Sequence, residues 1–226
     1  MIVNGIPINL KRKKIKHMHL YVKPPDGRVE VSAPLNMSDD IIEKFIRSKE
    51  AWIRRHQQRI ENLPRPKKNC FIDGEELIIW GSTYELVVQF SNKGNNLSLE
   101  GNKAILTVRE ASTVEQRRRY VKEWYRTVLK KEINRVLPYW INFTGLCPSS
   151  WQIKDMKTRW GTCNTKTRKI WLNLQLAKCP PICLEYVILH ELIHLVEGSH
   201  NKKFTNLMDH FMPNWREVKH LLNGTH

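Results

Sequence analysis

The segment from Leu184 to Val196 is apolar except for Glu185, His190, Glu191 and His194. A helix of that composition is buried, and every ionisable side chain inside it needs a partner. Any fold for this chain must therefore wrap a core around the segment and still give two histidines and a glutamate something to bind. His190 and His194 are four apart, which puts both imidazoles on one helix face about one turn apart, where two nitrogens reach a single metal ion. Glu191 is rotated by about 100° from His190, beside such a metal, where it can take a proton from a metal-bound water without occupying a coordination position. The plainer alternative is a core histidine pair next to a surface glutamate, and it leaves all three groups in search of partners.

His200 adds a geometric constraint. Were the helix to continue, six residues would carry His200 about 240° around from His194, away from the metal. The chain must leave the helix first, and Gly198 is where a left-handed turn forms at low cost. Three protein ligands with an open fourth position suit a catalytic zinc, whereas a structural site is closed by four. Manganese, nickel and cobalt accept the same donors. Glu197 is an alternative third ligand, strained by its place three residues after His194.

The chain has 226 residues, 41% of them hydrophobic, and a formal net charge of +16. Aromatic content excludes a disordered chain, and 11 prolines with 10 glycines exclude a collagen-like one. No apolar run approaches the roughly 20 residues that span a bilayer, and no signal-peptide pattern opens the sequence. The expectation is a soluble, cytoplasmic protein without a membrane partner, its oligomeric state left open. The five cysteines, Cys70, Cys147, Cys163, Cys179 and Cys183, then read as reduced structural thiols. The excess charge favours polyanions, and nonspecific nucleic-acid binding at low salt is expected. Its densest runs are Lys11–Lys16 and Arg117–Arg119.

Along the chain, strand-like stretches at Met18–Lys23 and Arg28–Ala33 flank the turn residues Pro24-Pro25-Asp26-Gly27. His17 and His19 share one face of the first, as a metal pair or as exposed edge residues. One helix is predicted from an N-cap at Ser38 to Ile60, then a proline-rich linker over Leu63–Asn69. Four short strands follow, at Glu76–Trp80, Thr83–Phe90, Asn96–Leu99 and Ala104–Arg109. Thr113 and Gln116 form a capping-box signature for a long basic helix ending before Pro138. Strands are predicted at Trp151–Lys157 and Lys169–Leu176, and helices at Ile182–Glu197, Lys202–Phe211 and Trp215–Leu222. No internal repeat is visible. The domain boundary falls before Thr113, giving a β-rich domain over residues 1–112, with one long helix, and a catalytic domain over residues 113–226. The strand Lys169–Leu176 alternates cleanly, so it is either a half-buried strand or one that binds an extended substrate by strand addition.

With these residues in hand, the chain resembles the YgjP-like metallopeptidase family, relatives of the SprT and WLM zinc proteases. The resemblance runs through Pro25–Val31, Trp52-Ile53-Arg54-Arg55, Lys157-Thr158-Arg159-Trp160-Gly161-Thr162-Cys163, Ile170-Trp171-Leu172-Asn173, Tyr186–His194, Ser199–Phe204 and Pro213-Asn214-Trp215. It implies an α+β fold, a zincin-like metallopeptidase domain behind an N-terminal β-rich domain. It also implies His190, His194 and His200 as zinc ligands and Glu191 as general base. The family usually has Asn-His-Ser around the third ligand, where this chain has Ser199-His200-Asn201. Two activities come with the resemblance: peptide hydrolysis, and the UTP pyrophosphatase activity associated with a bacterial member.

Both activities use one core, a metal-activated water deprotonated by Glu191. A peptidase needs a donor for its oxyanion, such as Tyr186 or Arg159. A pyrophosphatase needs several cations for phosphate oxygens, for which Lys157, Arg159, Lys202 and Lys203 flank the motif. Trp160, Asn173 and Tyr186 are candidate substrate contacts. Arg159 has a structural alternative, pinning its loop through backbone carbonyls, and Trp160 has one in packing. A third reading, a DNA-associated module without activity, is disfavoured by Glu191, which a purely structural metal site does not need. Peptidase ranks first and nucleotide pyrophosphatase second.

Overall fold

The computed structural model describes residues 1–23, 26–62 and 69–224, and the chain forms two compact units, Met1–Lys68 and Asn69–His226. Pro24 and Pro25 of the predicted turn, and Leu63–Lys68 of the predicted linker, lie outside the described residues.

The first unit is a four-stranded sheet with two helices. Its strands are β1 (Ile2–Val3), β2 (Ile6–Lys13), β3 (His19–Lys23) and β4 (Arg28–Pro34), in the order β1-β2-β4-β3. β2 runs parallel to β4, and the other pairings are antiparallel. Period-two alternation buries Ile8, Val29, Val31 and Ala33 on one face. Against it pack Ile42 and Ile46 of α1 (Asp39–Ser48) and Ile53 of α2 (Glu50–Glu61). The single helix predicted from Ser38 is thus two, broken at Lys49, where the backbone leaves helical geometry (φ −107°, ψ 6°). Strand β2 was hidden by its composition, since its second half is the basic run Lys11-Arg12-Lys13.

In the second unit, β5 (Glu76–Ile79), β6 (Ser82–Phe90), β7 (Asn96–Glu100) and β8 (Lys103–Val108) form a sheet in the order β5-β6-β8-β7. Leu77, Ile79, Leu86 and Leu106 share one core with Val121, Tyr125, Leu129 and Ile133 of α3 (Val114–Thr144), and the Tyr125 hydroxyl donates to the Ile78 carbonyl at 2.7 Å. That shared core overturns the boundary before Thr113: a change of sequence texture there divides strands from helices, while burial keeps both in one unit.

Helix α3 opens on the predicted Thr113–Gln116 capping box and closes at Gly145, whose φ is 70°. It does not end before Pro138. Val136, Leu137 and Trp140 are buried while Pro138 is exposed, so the hydrogen bond lost at the proline falls on the solvent-facing side of the helix.

A three-stranded sheet follows, β9 (Ser150–Lys154), β10 (Gly161–Asn164) and β11 (Lys169–Asn173), in the order β10-β11-β9. The predicted strand Lys169–Leu176 stops at Asn173, because Leu174–Lys178 coil into a 3-10 helix that buries Leu174, Leu176 and Ala177. Three helices complete the unit, α4 (Pro181–Ile193), α5 (Lys202–Phe211) and α6 (Trp215–Gly224). Proline at the first turn of α4 starts it without costing a hydrogen bond. The fold is mixed α+β, and among the described residues no helix is long and apolar enough to cross a membrane.

Candidate metal centre

Helix α4 buries Leu184, Val187, Ile188, Leu189, Leu192 and Ile193, which fixes its rotation and leaves His190 and His194 on a half-buried stripe. The helix stops at Ile193, and the chain tightens through Leu195 N–H to Leu192 O and Val196 N–H to Ile193 O. The left-handed turn expected at Gly198 is absent from the positive-φ residues. The reversal is instead held by Glu197, whose Oε1 accepts from the Ser199 amide (3.2 Å) and hydroxyl (2.9 Å). Asn201 then caps α5 through Oδ1 and the Phe204 amide at 3.1 Å. Glu197 therefore shapes the turn that returns His200, and its carboxylate is not among the groups that meet at the centre.

His194 Nε2 lies 3.1 Å and His200 Nε2 3.0 Å from His190 Nε2. Three nitrogens bound to one tetrahedral ion at about 2.0–2.1 Å stand about 3.3 Å apart, close to these separations. One ring nitrogen carries at most one proton, so hydrogen bonding cannot satisfy His190 Nε2 towards two lone pairs, whereas a cation satisfies all three. The donor set fits a divalent metal. His194 Nδ1 lies 2.9 Å from the Glu197 carbonyl, so Nδ1–H donates there and Nε2 presents its lone pair inward. Burial, then the neighbouring His194, His200 and Lys219, push His190 down to about 3, which keeps the ring neutral as a ligand must be. The Phe204 ring sits 4.8–4.9 Å from all three imidazoles, centroid to centroid, an apolar floor under the group.

Glu191 is 4% exposed, with Oε2 buried and, among the described residues, without a hydrogen-bond partner. Burial pushes its carboxyl up to about 8, against the pull of Arg159. Gly161, at the start of β10, is what admits it. A Cβ there would stand 2.6 Å from Glu191 Oε1 and 2.9 Å from Val187 Cγ1. The requirement for glycine here is clearance for the glutamate.

A cavity of about 500 Å³ opens over these groups, lined among others by Arg159, Trp160, Tyr186 and Lys219. Tyr186 stacks parallel to Trp215 at 6.4 Å and meets His190 edge-on at 5.8 Å; burial, then Glu191, pushes its hydroxyl up to about 12. Cys163 also lines the cavity but lies outside the histidine group, its thiol pushed up to about 11 by burial and Glu191. Among the described residues no cysteine is joined in a disulfide.

Asn173 is a correction. It is 1% exposed and absent from the cavity wall, and its amide is fully used within the protein. Oδ1 accepts from Met156 and Gln175 amides (both 3.2 Å), while Nδ2 donates to the Met156 (2.9 Å) and Arg159 (2.7 Å) carbonyls. It holds the loop that carries Arg159 and has no capacity left for a substrate. Of the four flanking cations, Arg159 lines the cavity; Lys157, Lys202 and Lys203 do not, and Lys203 sits 3.9 Å from Glu197. Lys219 was missed because α6 is brought to the site only by tertiary packing. Phe204, four residues after His200, was legible as an apolar position but carries no sign of its role.

A family model for YgjP-like proteins, metallopeptidase domain, matches residues 16–225. No curated protein matches the chain. Among solved structures, the metallopeptidase zymogen abylysin of Pyrococcus abyssi aligns at 17% identity and a TM-score of 0.39, covering 41% of this chain and 93% of that one. The jannalysin zymogen of Methanocaldococcus jannaschii aligns at 27% identity and a TM-score of 0.35, covering 42% and 88%. With the match running over nearly the whole length, the chain belongs to the YgjP-like metallopeptidase family.

Proposed function

We propose that this protein is a zinc-dependent peptidase whose metal is held by His190, His194 and His200. The observation that carries the reading is the meeting of three Nε2 atoms beside a buried glutamate with an unpartnered oxygen, in an open cavity. When bound, zinc supplies Lewis acidity towards water and a scissile carbonyl. Glu191 takes the proton of the attacking water on a carboxylate oxygen and returns it to the leaving amine. Arg159 and Tyr186 stabilise the oxyanion in this reading, which is supported by their both lining the cavity.

Strand addition is supported at a different strand from the one expected. β11 is paired on both edges, by β10 and by β9, so it has no free edge for a substrate. β10 and β9 are the two edge strands, and of these β10 lines the cavity through Gly161, Thr162 and Cys163, so an extended peptide laid against β10 passes the histidines. The nucleotide reading is weaker, since among the described residues the cavity wall carries two cations, Arg159 and Lys219. Incubating zinc-loaded protein with a peptide library tests the proposal by mass spectrometry. Cleavage lost in Glu191→Gln is expected; pyrophosphate release from nucleoside triphosphates with no cleavage would overturn it.

A further inference from the structure

The basic run Lys11–Lys16 has no part in the metal centre. Its first residues belong to β2, and the sheet of the first unit assigns them a face. Alternation sends Ile8, Val29 and Val31 into the core and Asn9, Lys11 and Lys13 outward. The strand register then extends that outer face. Asn9, Glu30 and Tyr21 form one cross-strand row, and Lys11, Ser32 and His19 the next. Arg28 pairs with Lys23 at the end of the sheet.

Four cations, Lys11, Lys13, Lys23 and Arg28, therefore share a surface whose strands carry one carboxylate, Glu30. That carboxylate gathers Lys23 (2.5 Å), Arg28 (3.5 Å) and Lys11 (3.7 Å) around itself, and Asp26 of the adjoining turn reaches Arg28 at 3.9 Å. Lys11, Lys23 and Arg28 are held in position by these carboxylates, and the face keeps an excess of positive charge. Beside them lie two exposed rings, His19 and Tyr21, with centroids 6.3 Å apart and planes 20° from parallel. Tyr21 is 49% exposed, and Lys23 stands over its ring at 5.9 Å. Exposed rings on a sheet, flanked by ordered cations, match unstacked bases alternating with phosphates. A duplex hides its base faces and has no use for the rings.

We propose that the outer face of β2, β4 and β3 binds single-stranded nucleic acid, with bases stacked on Tyr21 and His19 and phosphates on Lys11, Lys13, Lys23 and Arg28. The probes are fluorescein-labelled oligo(dT) and oligo(U) of about fifteen residues and a duplex of equal length, read by anisotropy between about 50 and 200 mM salt. Binding of a single strand should weaken steeply with salt, and Tyr21→Ala should weaken it about fivefold or more while leaving duplex binding unchanged. Comparing dT with U shows whether the face distinguishes a DNA from an RNA strand, which differ in the sugar and the C5 methyl group, and binding of either supports the proposal. Lys11→Gln should cost more than Lys103→Gln, which removes the same charge from the second unit. Circular dichroism confirms folding, since Tyr21 and Lys11 are exposed. Equal binding by Tyr21→Ala and wild type, equal losses in the two lysine variants, or no binding by wild type would overturn the proposal. So would capture by phosphatidylserine vesicles with no oligonucleotide binding, which would mark a lipid surface instead.

Discussion

The two four-stranded sheets have one topology and two surfaces. In each, the second strand runs parallel to the fourth, the first and third pair antiparallel at the edges, and helices cover one side. The outer face of the first sheet carries Lys11, Lys13, Lys23 and Arg28 against Glu30. The corresponding face of the second carries Glu76, Glu85 and Glu100 in one row with Lys103, and Ile78 and Ile105 in the rows beyond. The pairing pattern is set by inward residues such as Val29, Val31, Leu86 and Leu106, and these say nothing about the outward ones. Strand order therefore transfers no function from one sheet to the other. On the two proposals made above, the first unit binds nucleic acid and the second hydrolyses its substrate at α4.

The strongest way to break this division is Glu191→Gln. Hydrolysis should fall by about 10²–10⁴, the usual contribution of a positioned proton acceptor, while oligonucleotide binding by the first unit stays unchanged. A joint loss would show that the two regions do not act separately. Next in size is Phe204→Ala, which removes the ring under all three imidazoles. It should destabilise the second unit by about 3–5 kcal/mol in denaturant melts and weaken zinc affinity about 10–100-fold in a chelator competition. Asn173→Ala should cost about 1–3 kcal/mol, because backbone groups of Met156 and Arg159 lose buried partners; peptide turnover should fall with the displaced Arg159 loop while zinc content stays full. The smallest effect is expected at Glu85→Gln on the outer face of the second sheet, within about 0.5 kcal/mol and without change in either activity.

What was legible in the sequence follows the same physics. His190, Glu191, His194 and the span of α5 are local, because helical periodicity and an apolar run report directly on one element. The way His200 returns was only half legible: the helix had to stop, but Glu197 and Ser199 make the turn that Gly198 was expected to make. Elements that depend on distant partners were misread. Pro138 is tolerated because of which side of α3 it faces, and the unit boundary depends on α3 sharing a core with β5–β8. Asn173 looked like a polar residue on a half-open strand, yet its partners lie 14 and 17 residues earlier in a loop without regular pattern. Lys219 joins the site from a helix whose own sequence has no reason to mention a metal.

The central claim is that three imidazoles of one short stretch hold the metal. X-ray absorption on the zinc-loaded protein, with metal content measured for wild type and His190→Ala, tests it directly. The expected result is about one zinc per wild-type chain, bound by three imidazole nitrogens at about 2.0–2.1 Å, and loss of that zinc in the variant. Full zinc occupancy in His190→Ala would contradict it.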